Sequence, residues 1–277
     1  AADMRAGRRA ADGAAVLPVL MGFFSAKPTV DDADLEWQLE TWAWLLDNLG
    51  GLERLRTLPL ALPMAAQFPP SGKTGEKHVR HVLAQVCDWI GVDLGALQLV
   101  EQEGDVDPTV NALTIIENAP RQGALGTYSS STEQHVITYH PQLLDDLEGL
   151  IATLAHEVCH PILFQIPETP PGGEDNEEFA TDLAVAFSGF GVFGGNSAFR
   201  FQQFSDTGTG SQGWSANRAG YLTQNEWGLA LAIREALTSE TGSSSEKLMT
   251  SGLAANLKKN RKFLRQNTSL IEPLLEM

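Results

Sequence analysis

The residues best suited to chemistry in this chain form the pattern His-Glu-x-x-His at positions 156–160. On a helix, His156 and His160 stand one turn apart on the same face, so both imidazoles can reach one metal ion. Glu157 is placed beside them to take a proton from a water molecule on that metal. The pattern therefore predicts a zinc site with a built-in base. The alternative is a helix with two surface histidines and one solvated glutamate.

A catalytic zinc site needs a third protein ligand and one open position for water. The six histidines lie at positions 78, 81, 135, 140, 156 and 160, so none follows the pattern. A third histidine downstream is excluded for this reason. We expect the third ligand to be a carboxylate.

An acidic cluster at 174–178 leads into an apolar stretch, as at the start of a helix. Its last residue, Glu178, lies 18 residues after His160, the second histidine of the pattern. Glu178 and Asp182 share one helix face, so one can bind the metal while the other accepts the N–H of a ligating imidazole. Glu177 and Glu174 are rival ligands. For them a solvated helix start is the competing interpretation.

The residues His156-Glu157-x-x-His160 followed by Glu178-x-x-x-Asp182 resemble the gluzincin group of zincin metallopeptidases, the thermolysin-like type. The resemblance implies that His156, His160 and Glu178 bind zinc, that Glu157 is the general base and that Asp182 orients a histidine. It also implies an α+β, zincin-like fold. In such a fold a small sheet packs on the active-site helix, with additional helices before and after.

The resemblance covers residues 126–196 and implies two further roles. It makes the strand predicted at 134–139 the edge strand that pairs with an extended substrate. Zincins often need a downstream donor that stabilises the oxyanion. Tyr221 is the candidate for that donor, and Arg218 is the second choice.

The chain departs from the gluzincin pattern at two positions. Glu177 stands where that group often has Asn. Pro161 directly follows the second histidine, where a proline removes a helical hydrogen bond and biases the preceding residue away from helical conformation. We therefore expect the helix to end or kink at His160.

Together these residues predict a zinc-dependent peptidase acting on a peptide or protein substrate, with Glu157 passing the proton of the attacking water to the leaving amine. Two alternatives stay open. A zinc hydrolase of a non-peptide substrate would use the same three ligands. A non-catalytic zincin-fold binding module would use a basic helix predicted at 242–266 as its contact surface.

The elements that position these residues follow from the spacing of apolar side chains and of turn residues. Helices are predicted at 31–48, at 74–90, from 141 through the pattern, and at 242–266. Strands are predicted at 97–100, 113–116 and 134–139, with turns around Gly123, Gly126 and the serines at 129–131. The predicted organisation is a mobile arm (1–30), a helical region (31–92) and a zincin-like domain (93–277).

Composition narrows the possible partners and compartment. The net charge of −16 over 277 residues disfavours nucleic acid and anionic membranes as partners. No apolar run is long enough to span a bilayer. Only two cysteines are present, Cys87 and Cys159, which favours a reducing compartment and hence a cytoplasmic protein. The sequence makes no prediction of oligomeric state.

Overall fold

The computed structural model describes residues 26–102, 126–130, 135–205, 222–239 and 245–277. These residues form a mixed, mostly helical α+β fold with a three-stranded sheet, so the predicted α+β class is confirmed. The helices are α1 (Asp32–Asn48), α2 (Gly51–Thr57), α3 (Glu76–Ile90), α4 (Leu147–Leu163), α5 (Glu177–Phe187), α6 (Gly191–Ser205), α7 (Gln224–Thr238) and α8 (Ser251–Gln266). The strands are β1 (Leu97–Glu101), β2 (Gly126–Ser130) and β3 (His135–Tyr139). None of the described helices combines the length and the apolar character needed to cross a membrane.

The sheet has the order β1-β3-β2, with β1 parallel and β2 antiparallel to β3. The expectation that the strand at 134–139 is an edge strand is therefore wrong, because β3 is hydrogen-bonded on both sides. The stretch predicted as a turn around Gly126 is instead the strand β2, which lies against α4. The strand predicted at 113–116 lies outside the described residues.

Helix α4 carries the His-Glu-x-x-His pattern through the middle of the protein. The Asp146 side chain caps its start by accepting the N–H of Gly149 at 3.1 Å, and all its residues from Gly149 to Cys159 are buried. The helix continues through Pro161 to Leu163, so the expected end at His160 is wrong, and the alternative expectation of a kink there stays a prediction. A proline this near the C-terminus costs only one hydrogen bond, and the next turn still closes with the Phe164 N–H donating to the His160 carbonyl at 2.8 Å.

The N-terminal helices pack against the helix that holds the acidic residues. Trp42 of α1 is buried, and its ring centroid lies 6.0 Å from that of Phe187 on α5. The ring of Trp37 meets that of Phe179 edge-on, with centroids 6.2 Å apart. The division at residue 92 stays a prediction, although side chains from both sides of it share this core. Of the predicted arm, residues 1–25 lie outside the described part, and Thr29 hydrogen-bonds to Asn260 of α8.

The last two helices, α7 and α8, pack against each other, and α7 also packs against α5 and α6. Thr223 and Glu226 form a capping box at the start of α7. The helix predicted at 242–266 is found from Ser251 onward, and residues 242–244 are not described. On α8, Arg261 pairs with Glu235 and Glu246 at 2.7 and 2.6 Å. Four other basic residues are exposed there: Lys258, Lys259, Lys262 and Arg265.

Candidate metal centre

Two helices bring three potential metal ligands to one point. Helix α4 supplies His156 and His160, and the first turn of α5 supplies Glu178. The Nε2 atom of His156 lies 3.0 Å from Glu178 Oε2 and 3.2 Å from Nε2 of His160, and the third distance, from His160 Nε2 to Glu178 Oε2, is 3.7 Å. Two imidazole nitrogens and one carboxylate oxygen this close together form a donor set suited to a catalytic metal ion.

His156 is held from behind by a buried carboxylate. Its Nδ1 atom lies 2.9 Å from Oδ1 of Asp182, and both side chains are buried. Burial alone would lower the pKa of His156, but the hydrogen bonds to Asp182 and Glu178 outweigh it and raise this pKa well above its usual value. His156 thus has the carboxyl group of Asp182 at Nδ1 and that of Glu178 at Nε2. A metal ion would replace the proton on Nε2.

His160 has a different environment. Burial, with the added charge of His156, lowers the pKa of His160 to about 3, so this imidazole is neutral and can donate a lone pair. Its Nδ1 atom lies 3.5 Å from the hydroxyl oxygen of Thr181, whose own proton goes to the Glu177 carbonyl at 2.9 Å. The ring of Tyr128, on β2, stacks on the His160 ring with centroids 5.2 Å apart and planes within 5° of parallel.

Glu157 is a buried carboxyl group with an unused acceptor. The residue is 3% exposed, and its Oε2 atom has no hydrogen-bond partner among the described residues. Burial is the main reason that the pKa of Glu157 rises to about 8. A carboxyl group with a pKa near neutrality can both accept and release a proton, which is what a general base and acid must do.

Glu157 lines a pocket that is formed by residues of α4, α5, α6 and α7, of β2 and of the segment before α7. Apart from His156, Glu157 and Asp182, the lining residues are mostly small or apolar: Gly126, Ala152, Thr153, Val185, Gly194, Ala198, Leu222 and Trp227. The Thr153 hydroxyl is also buried without a hydrogen-bond partner among the described residues. The pocket thus has a mostly apolar wall, and two of its lining residues, Thr153 and Glu157 itself, carry a buried polar atom without a hydrogen-bond partner among the described residues.

We compared the chain with protein-family models, with characterised proteins and with solved structures. No family model matches, no characterised protein matches and no solved structure matches. The resemblance to gluzincins therefore stays a prediction from the motif residues.

The structure places the predicted residues as follows. In the part of the chain that the structure describes, the group able to hold a metal consists of His156, His160 and Glu178, and the rivals Glu177 and Glu174 are exposed residues outside it. Tyr221 and Arg218, the candidates for stabilising the oxyanion, lie outside the described residues.

Sequence reasoning missed three neighbours of the site. Tyr128 lies in a stretch predicted to form turns, and no pattern in the sequence singles out His135 within the strand predicted at 134–139. Leu222 contributes its backbone N–H to Asp182 Oδ2 at 2.8 Å. No side-chain pattern signals such a backbone contact. For Tyr128 a signal was present, because Thr127 and Tyr128 both favour strands.

Proposed function

We propose that the protein is a zinc-dependent peptidase with Glu157 as its general base. One observation carries the proposal: three metal-binding side chains converge on one point beside a buried carboxylate oxygen that has no hydrogen-bond partner among the described residues. A structural zinc site would usually be closed by four ligands rich in cysteine. A zinc ion held by these three ligands would keep a fourth position for a water molecule.

Each residue of the proposed site has a defined task. His156, His160 and Glu178 would hold the zinc ion. Such an ion lowers the pKa of a coordinated water and polarises a carbonyl group. Glu157 would accept the proton of the attacking water and then give it to the leaving amine. Asp182 would keep Nδ1 of His156 protonated, so that Nε2 faces the metal.

The sheet supports a peptide as the substrate. Strand β2 pairs with β3 on one side, and its other side meets no strand in the part of the chain that the structure describes. An extended peptide can add to such a strand through main-chain hydrogen bonds. Gly126, at the start of β2, lines the same pocket as Glu157, so a peptide along β2 would pass the base. A hydrolase of non-peptide substrates would not need the unpaired edge of this strand.

Charge and pocket shape narrow the substrate further. The formal charge of −16 favours neutral or basic peptides. The pocket wall of Trp227, Val185 and Leu222 suits an apolar side chain next to the cleaved bond. Both cysteines are buried and unpaired, which supports a reducing, cytoplasmic location as part of the proposal.

The test is to compare zinc-loaded wild type with Glu157→Gln on a mixture of synthetic peptides, using mass spectrometry to find new termini. We expect the wild type to cleave. Because the glutamine cannot accept a proton, the variant should lose at least about 100-fold in turnover while holding the same zinc. Glu168→Gln, at an exposed position, is the matched control and should cleave like the wild type.

Three results would count against the proposal. A Glu157→Gln protein with full activity would contradict the role of the base. A wild type that holds zinc but cuts only esters or other small substrates would indicate a non-peptide hydrolase. A wild type that binds no metal and cleaves nothing would indicate a binding module.

A further inference from the structure

The two histidine ligands are supported unequally. His156 has the Asp182 carboxylate on its Nδ1 atom at 2.9 Å, which fixes the plane of the ring. Among the described residues, the hydrogen-bonding group found near Nδ1 of His160 is the Thr181 hydroxyl at 3.5 Å, which is too long for a strong hydrogen bond. Something else must hold the His160 ring in the plane that lets its Nε2 atom meet Glu178.

The ring of Tyr128 covers one face of His160. The two rings are 5.2 Å apart between centroids and deviate by 5° from parallel, the arrangement of a stacked pair. The position of Tyr128 follows from the backbone, because Gly126 and Tyr128 point to the same side of β2. On α4, Glu157 and His160 are three residues apart and face this strand. Gly126 therefore lies against Glu157 while Tyr128 lies against His160.

Tyr128 is itself held in place by the neighbouring strand. Its hydroxyl oxygen lies 2.6 Å from Nδ1 of His135 on β3, and the two ring centroids are 5.8 Å apart with planes 18° from parallel. His135 in turn meets the ring of Phe164 edge-on at 6.2 Å. Ring contacts and one hydrogen bond thus connect the proposed ligand His160 through Tyr128 to His135 in the sheet.

We propose that Tyr128 is a positioning residue whose ring fixes the His160 ring for metal binding, as the Asp182 carboxylate does for His156. The inference rests on the proposed metal site but not on its catalytic activity. It predicts that the aromatic ring at position 128 is needed and that its hydroxyl group matters less. One ligand would then be oriented by a hydrogen bond and the other by stacking.

The experiment measures the affinity for Zn²⁺ by competition with a chromophoric chelator, without any substrate. Tyr128→Leu removes the ring, and loss of such a supporting contact should weaken zinc binding by about 10-fold or more. Tyr128→Phe keeps the ring and should bind zinc nearly as well as the wild type. Thr127→Val, which changes a residue on the opposite side of β2, is the control and should leave the affinity unchanged.

A second measurement separates positioning from a general loss of structure. The visible absorption of bound Co²⁺ reports the arrangement of its ligands, so the spectrum should change in Tyr128→Leu and stay the same in Tyr128→Phe. Thermal unfolding of the metal-free variants shows whether they fold. If Tyr128→Leu does not fold, Tyr128→Met, which is flexible and close in size, takes its place.

The outcomes distinguish this inference from the proposed function. If Tyr128→Leu or its substitute folds, binds zinc as tightly as the wild type and keeps its Co²⁺ spectrum, the positioning role is wrong and the peptidase proposal is unaffected. If Tyr128→Phe loses as much affinity as Tyr128→Leu, the ring is not what holds His160, and the inference fails. If the wild type itself binds no zinc, the proposed function fails and this inference falls with it.

Discussion

The Nδ1 atom of His156 and the Oδ1 atom of Asp182 lie 2.9 Å apart, and both side chains are buried. The other oxygen of Asp182 accepts the N–H of Leu222 at 2.8 Å. One carboxylate therefore ties the helix that carries the histidines to the segment that leads into α7. Burial raises the pKa of Asp182, and the hydrogen bonds from His156 and Leu222 oppose that rise.

Replacing Asp182 with Asn should weaken zinc binding without unfolding the protein. The amide keeps the size of the carboxylate but not its charge, so His156 loses the partner that orients its ring and increases its basicity. Loss of such a partner typically costs about 10- to 100-fold in metal affinity. Competition with a chelator measures this. Asp175→Asn, at an exposed position in the same acidic segment, is the control, and equal affinities of the two variants would rule out the assigned role.

Replacing Glu178 with Gln should remove the third ligand. An amide oxygen is a far poorer zinc ligand than a carboxylate, so the purified variant should hold much less than one zinc per chain. Glu177→Gln is a matched control because it changes the adjacent residue, which is exposed and lies outside the ligand group. Elemental analysis after dialysis decides between them. Zinc loss in Glu177→Gln with retention in Glu178→Gln would reverse the assignment.

The arrangement of the site within each helix could be predicted from the sequence. The spacing of His156 and His160, and that of Glu178 and Asp182, fixes which side chains share a face, because the helical repeat is constant. Which carboxylate meets which histidine depends on how α4 packs on α5. That relationship came only from the resemblance to a known group of enzymes.

Features that depend on distant partners could not be predicted. Gly126 and the serines that follow it suggest a turn, yet pairing with β3 makes this stretch a strand and places Tyr128 on His160. The pocket wall of Leu222 and Trp227 comes from residues far from the motif in sequence. The expectation that the helix ends at His160 was wrong for a different reason. Pro161 lies close to the C-terminal end of the helix, so the helix lost only one hydrogen bond there.

Gly126 should be essential for activity because there is no space for a side chain. A Cβ atom at this position would lie 2.4 Å from Cγ2 of Thr153 and 3.0 Å from Oε1 of Glu157. Gly126→Ala should therefore shift β2 or the base, and a displacement of about 1 Å can cost about 100-fold in rate. We expect lower kcat/KM on the peptide substrate with unchanged zinc content.

The same contact offers a rescue. Thr153→Ser removes the methyl group that the new Cβ would meet, so Gly126→Ala combined with Thr153→Ser should recover part of the lost activity. Thr153→Ser alone shows the effect of the missing methyl group. No recovery in the double variant would mean that Gly126 acts through another contact, such as the Thr138 carbonyl at 3.2 Å.

The buried carboxyl group of Glu157 should make the stability of the metal-free protein depend on pH. Its pKa is about 8 in the folded state, against an ordinary value of 4.5, so the folded protein binds the extra proton between these two values. The stability linked to that proton is complete below about pH 4.5 and is lost as the pH rises through about 8. The Glu157→Gln protein should not lose this stability as the pH rises, because the glutamine amide stays neutral.

Urea unfolding in the presence of EDTA, at several pH values between 5 and 8.5, measures this effect. The free energy of unfolding of Glu157→Gln minus that of the wild type should grow as the pH rises, by at most about 1.4 kcal/mol for each unit that separates the two pKa values. Groups that titrate in both proteins largely cancel in the difference. Glu168→Gln, at an exposed position, should give a flat difference. A flat difference for Glu157→Gln as well would mean that this carboxyl group is already ionised in the folded protein near pH 5. Glu157 would then not be the desolvated acid that the proposal takes as its base.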